Sequence, residues 1–273
     1  MLGKLLKQEF RATGRVMLPV FGALVLLSVL ANISFRLLDR VDGGFLGFVL
    51  GFVIFVFVLG MIGAAVMTLV LMVTRFHRNL LGDEGYLMHT LPVSVHGLIG
   101  SKLIVSLIWF LATGLILLLI GFLTGLIQSG TNLKELFLQL PSWKELKALL
   151  LAQGVTEGDI ARFLTQLLLL VVLTTLSTCL HFYSAMAMGH MFNKDKILLS
   201  IVFFVVISFV LSLVTNLLGF RVNDLANLTI DGIADFVLFS RGLLRFSLVA
   251  ELLKGALLYF ATALSLRRGL NLA

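Results

Sequence analysis

The chain has 273 residues, of which 59% are hydrophobic and 13% charged, with a net charge of +7 and a mean hydropathy of +1.09. A water-soluble domain usually carries about 25% charged residues, so a soluble fold is excluded for want of polar surface to cover the apolar interior. The apolar residues run in long blocks from end to end, which leaves no room for a separate soluble domain and predicts one all-α integral membrane domain over 1–273.

A helix needs about 20 mostly apolar residues to cross a hydrocarbon core. Six runs qualify, at 16–37, 45–73, 103–127, 164–188, 197–220 and 246–266. A transmembrane β-barrel would alternate apolar and polar residues, whereas 49–59 holds no polar side chain at all. The first run is longer than the apolar core of a signal peptide and lacks a small-residue cleavage pattern after it, so it reads as a permanent span.

Ahead of that span, Leu2, Leu5, Leu6 and Phe10 recur at spacings of three and four while Lys4, Lys7, Gln8 and Arg11 fall on other faces. This predicts an amphipathic helix over 1–15 lying on the inner leaflet; the plainer reading is a basic flank that orients the first span. Clusters at Lys4, Lys7, Arg11 and Arg15, at Arg75, Arg78 and Lys102, and at Arg267 and Arg268 place both termini in the cytoplasm. Basic residues facing anionic headgroups also account for the net charge with no nucleic-acid partner.

Gly43, Gly47 and Gly51 enter the second span at intervals of four, and Gly121 and Gly125 repeat the interval in the third. Such spacing lets helices approach closely, and it predicts helix packing within the chain ahead of a contact between two copies. Between these spans lies the cytoplasmic loop 74–102, TRFHRNLLGDEGYLMHTLPVSVHGLIGSK. Asp83 is placed to cap a short helix ending near Thr90, Pro92 stops it, and Ser94 caps the next helix.

The outer loop 128–163 offers Ser142 with Glu145, and Thr156 with Asp159, at capping-box spacing. In the fourth span Thr174, Thr178 and His181 share a face, as do Ser208, Ser212, Thr215 and Asn216 in the fifth. Polar stripes inside a membrane either line a pathway or bond their own helix carbonyls, and both readings stand. The outer loop 221–245 contains an apolar stretch at 233–239, broken only by Asp235 and too short to span, which either dips into the membrane or rests on the bundle. Glu251 and Lys254, three apart on the sixth span, are expected to pair near its outer boundary.

Catalytic signatures are missing. A phosphate loop of the form G-x-x-x-x-G-K-[ST] does not occur, nor do H-E-x-x-H or G-x-S-x-G. Cys179 is the single cysteine, so no intramolecular disulfide is available. Cys179 and His181 stand two apart on a helix and do not face each other, which leaves His181 and His190 as structural residues. The reading is a non-enzymatic chain with no bound metal or cofactor.

Six spans, a basic amphipathic start and the second-to-third connection GDEGYLMHTLPVSVHGLIGSK resemble the permease subunits of ABC-2-type bacterial ATP-binding-cassette exporters, over the whole chain. The resemblance implies that Asp83, Glu84, Gly85, Tyr86, Leu87 and Met88 belong to a coupling helix seated on a separate ATPase subunit, which holds the ATP and Mg. It further implies that Pro92, Ser94 and Lys102 set the exit into the third span. A second permease, identical or related, would complete a transporter in the bacterial plasma membrane, with the second and fifth spans beside the pathway. The last outer loop would form a partly re-entrant lid, from which Asp235 departs. The alternative is a secondary transporter or channel driven by an ion gradient; an intramembrane enzyme lacks its motifs.

Overall fold

The computed structural model describes residues 2–41, 43–82, 94–130, 143–152, 155–192, 195–223 and 233–268. Among these the regular structure is entirely helical: α1 (Leu2–Leu38), α2 (Gly44–Phe76), a π-helical turn (His77–Leu81), α3 (Val95–Ser129), α4 (Trp143–Ala152), α5 (Glu157–Gly189), α6 (Lys196–Asn223) and α7 (Ile233–Arg268). Six of these helices, all but α4, are long and apolar enough to cross a membrane. Apolar side chains stand exposed along each, with Phe45 84%, Leu118 73% and Phe260 70% exposed. Patches of that extent are not stable in water, so lipid covers them, and the chain is a multi-pass membrane protein.

The chain divides into two compact units. The first comprises residues 1–74 and 104–140. Its core joins Met17, Phe21, Met72, Val105 and Trp109, and a second cluster joins Leu24, Ala31, Phe57, Ala64 and Ile120. Three polar links tie the helices inside this unit. Trp109 Nε1 donates to Thr13 Oγ1 at 2.8 Å, the Thr68 and Thr113 hydroxyls lie 2.9 Å apart, and Asn32 Nδ2 donates to Thr124 Oγ1 at 3.1 Å.

Here the expected surface helix at 1–15 takes a different form. α1 is continuous from Leu2 to Leu38, straight through Pro19, a length of about 55 Å. Leu6 and Phe10, on the predicted apolar face, pack against the Trp109 cluster. That stripe found a protein partner, which the spacing alone does not distinguish from lipid.

The glycines also depart from expectation. A Cβ added at Gly43, Gly47, Gly51, Gly121 or Gly125 would meet nothing within 4 Å, so this ladder packs against no described neighbour. Within this unit the close approach at a described glycine is at Gly60, where an added Cβ would lie 3.0 Å from Leu27 Cδ1. Gly43 and Gly44 serve the turn into α2, with φ of +88° and +76°, a region that side chains disfavour.

The second unit comprises residues 75–103 and 141–273. In it α5 packs along α7 and α6. The Thr156 backbone N–H donates to Asp159 Oδ2 at 3.0 Å, which delivers the expected cap on α5; Ser142 lies outside the described residues. The stretch 233–239 is the first part of α7. It is helical and continuous with the last span, not a separate loop.

Candidate functional site

The connection after the second span is shorter than its sequence implies. α2 continues past Thr74 through Phe76 and into the π-turn His77–Leu81, and α3 begins at Val95. Ser94 caps α3 as expected, its Oγ accepting from Gly97 N–H at 3.3 Å. Lys102 is consequently a buried residue inside α3, 4% exposed, and not part of the loop. Asp83, Glu84, Gly85, Tyr86, Leu87, Met88 and Pro92 lie outside the described residues.

Both stems of this connection are fastened within the second unit. On the first stem, the ring of Phe76 is fully buried and stacks on Tyr183 of α5 at 3.9 Å and 8°. One residue on, His77 Nε2 meets His190 Nε2 at 3.1 Å. His190 Nδ1 lies 2.8 Å from the Met186 carbonyl. A carbonyl only accepts, so Nδ1 carries the proton, His190 Nε2 is the acceptor and His77 Nε2 the donor. Burial pushes the His190 imidazole below its ordinary value, helped by His77 and Lys196 and opposed by the Met186 carbonyl.

The second stem is held from the other side. His96, in the first turn of α3, places Nδ1 2.7 Å from the Tyr259 hydroxyl and Nε2 2.7 Å from Arg267 Nη2, both on α7. Arginine can only donate, so Nε2 accepts, Nδ1 carries the proton, and one neutral imidazole bridges two groups of the last helix. These pairings join residues 113, 163 and 171 positions apart. His190 was legible as a structural residue, but nothing in the spacing names its partner.

A second polar assembly lies within the spans. Ser177 of α5, fully buried, donates to Glu251 Oε2 of α7, and Lys254 Nζ reaches Glu251 Oε1 at 3.2 Å and Oε2 at 3.4 Å. The Glu251–Lys254 pair is the one expected. One residue further along α7, Gly255 faces Ser177, where an added Cβ would make ordinary contact at 3.9 Å from Ser177 Cβ.

The two predicted stripes touch at one point. His181 Nε2 lies 3.3 Å from the Phe204 carbonyl and 3.2 Å from Ser208 Oγ, with its ring stacked on Phe204 at 4.5 Å. Because the Phe204 carbonyl accepts, Nε2 bears hydrogen and is shared between both oxygens. Two other members are turned to their own helices: Thr178 donates to the Thr174 carbonyl, and Thr215 to Leu211 and Ser212. Thr174, Ser212, Thr215 and Asn216 are exposed on the helix surface, with Asn216 Nδ2 donating to Ser212 Oγ at 3.3 Å. Thr178, Thr215 and Asn216 thus bond within their own helices, and His181 and Ser208 join the two stripes.

Comparison with protein-family models, curated proteins and solved structures finds no match. The functional reading therefore rests on the residues. Among the described residues no group of three or more His, Cys, Asp or Glu is placed to hold a metal ion. The arrangement is a connection clamped at both stems and an ion pair held inside a span.

Proposed function

We propose that this chain is the membrane-spanning permease subunit of an ATP-driven ABC-2-type exporter, lying in a bacterial plasma membrane with both termini cytoplasmic. The observation that carries the reading is the double fastening of the α2–α3 connection: Phe76 and His77 to α5, His96 to α7. A soluble ATPase seated on the segment containing Tyr86 and Leu87 would shift both stems on binding ATP, and the stems would pass the motion to α5 and α7. ATP and Mg belong to that partner subunit, and a second permease, identical or related, completes the pathway.

The test is stimulation of the partner's ATP hydrolysis in reconstituted membranes. Tyr86→Asp and Leu87→Asp should abolish it while the chain stays membrane-inserted, because a carboxylate in the apolar seat is left desolvated. Wild-type stimulation in both variants would end the coupling role.

A gradient-driven transporter is the second reading, favoured by the Ser177–Glu251–Lys254 cluster, since ionisable groups inside a span often mark ion pathways. Proteoliposomes containing this chain alone decide between them: substrate movement driven by a proton or sodium gradient supports the second reading, and silence without the ATPase supports the first.

A further inference from the structure

The first unit carries a lateral cavity of about 490 Å³ between α1 and α3. Its walls run from Val25 to Arg36 on α1 and from Ile116 to Ile127 on α3. Eleven residues of helix rise about 16 Å, which is one leaflet of a hydrocarbon core about 30 Å thick. The volume falls within the range of small-molecule sites, about 300–1,000 Å³.

The wall is apolar except at four residues. Two of these turn their donors back onto the helices: Ser28 Oγ donates to the Val25 carbonyl at 2.7 Å, and Asn32 Nδ2 donates to the Ser28 carbonyl at 2.7 Å as well as to Thr124 Oγ1, while Asn32 Oδ1 is buried with no partner among the described residues. A polar solute would find few donors along this wall. The fourth is Arg36, in the last turn of α1, exposed, and the only ionic residue of the lining. No hydrogen bond or ion pair joins its guanidinium to Asp39 or to any other described residue. The cavity thus presents an apolar trough one leaflet long, with a single cation at the end where headgroups lie.

We propose that this trough holds one acyl chain of an anionic phospholipid whose phosphate sits on Arg36. The leaflet is the one at the C-terminal end of α1, opposite the end bearing Lys4, Lys7, Arg11 and Arg15. Two fits support this occupant together. The length of the wall and its mostly apolar lining match an acyl chain, and the guanidinium matches a phosphate in fork geometry. A zwitterionic lipid shares the first fit but brings its own cation close to Arg36. The site needs no ATPase and stands apart from whatever powers the molecule.

The experiment uses the full chain in phosphatidylcholine nanodiscs doped with an equal small fraction of either phosphatidylglycerol or phosphatidylcholine bearing a diazirine in the acyl chain. After illumination, adducts are mapped by mass spectrometry. Phosphatidylglycerol adducts should concentrate in peptides covering 25–36 and 116–127, exceeding those of phosphatidylcholine by about fivefold, the factor expected for one basic residue at an anionic headgroup. Arg36→Gln should erase the preference and Arg36→Lys retain most of it, while Leu119→Trp should fill the trough and remove adducts from both lipids.

Equal labelling by the two lipids, adducts spread evenly over all spans, or a preference that survives Arg36→Gln would each overturn the site and leave ordinary boundary lipid. Melting temperature and monodispersity in detergent establish that each variant is folded. If Arg36→Gln is not, the comparison of the two lipids on the native chain and on Leu119→Trp decides the question by itself.

Discussion

Single side chains in this protein matter most where a polar group sits deep in apolar surroundings. Lys254 compensates Glu251 within α7, with side-chain exposures of 22% and 20%. Lys254→Met should therefore cost about 3 kcal/mol, the penalty of an abandoned charge, read as a lower melting temperature in detergent. The double variant Glu251→Gln with Lys254→Met should regain most of that loss, and simple additivity of the two would show that the residues do not act as a pair. His190 supplies a pH dependence. Its imidazole is held below the ordinary value of 6.5, so the folded chain binds fewer protons there than the unfolded one. The His77–His190 contribution is complete above 6.5 and is lost as pH falls through the lower folded value. Melting temperatures measured from pH 8 down to pH 5 should drop more steeply in the native chain than in His190→Gln. Protonation sets two N–H groups against each other, and the glutamine variant has no such group to protonate.

At the scale of helices, what was written locally was readable and what depended on a neighbour was not. Ser94 and Thr156 with Asp159 delivered their caps because a cap is settled within four residues. The glycine ladder showed where a helix offers a smooth face but not whether another helix comes to it. Gly60, outside the ladder, is the one pressed against Leu27. Gly60→Leu should thus destabilise by about 1–3 kcal/mol through overpacking. Gly121→Ala should be neutral or stabilising by up to about 1 kcal/mol, since its Cβ meets nothing and alanine favours helix. Thermal unfolding of the two variants side by side checks both signs. α1 and α7 teach the same lesson about ends. Each absorbed a segment, 2–15 and 233–239, that reads separately in the sequence because its polarity differs from the adjoining span, yet the backbone hydrogen bonds continue without regard to polarity.

For the whole molecule, the proposed role as a permease turns on whether the connection moves the helices to which it is fastened. Tyr259→Phe removes the hydroxyl from His96, and Arg267→Gln removes the cation from its other nitrogen. Each variant should keep the wild-type melting temperature within a degree or two and lower ATP-driven transport by up to about tenfold, in keeping with coupling energies of 0.5–2 kcal/mol through such contacts. Transport in proteoliposomes, measured beside the ATPase rate, separates lost coupling from lost folding. Full transport in both variants would mean that the second stem transmits nothing.

The amino-acid sequence by itself determined the solvent of this protein, the number of its spans and the places where two of its helices begin. Each of these follows from the polarity of consecutive residues, which needs no partner to be expressed. It also carried the ion pair Glu251–Lys254, a matter of three positions on one helix. Only the tertiary structure decided that Ser177 completes that pair, that His77 meets His190, that His96 bridges Tyr259 and Arg267, and that Leu6 and Phe10 rest on Trp109. In a chain where nearly every face is apolar, burial no longer tells one face from another, because lipid satisfies an apolar face as well as a neighbouring helix does. The choice among faces then falls to packing and to a few distant hydrogen bonds, and those exist only once the helices have come together.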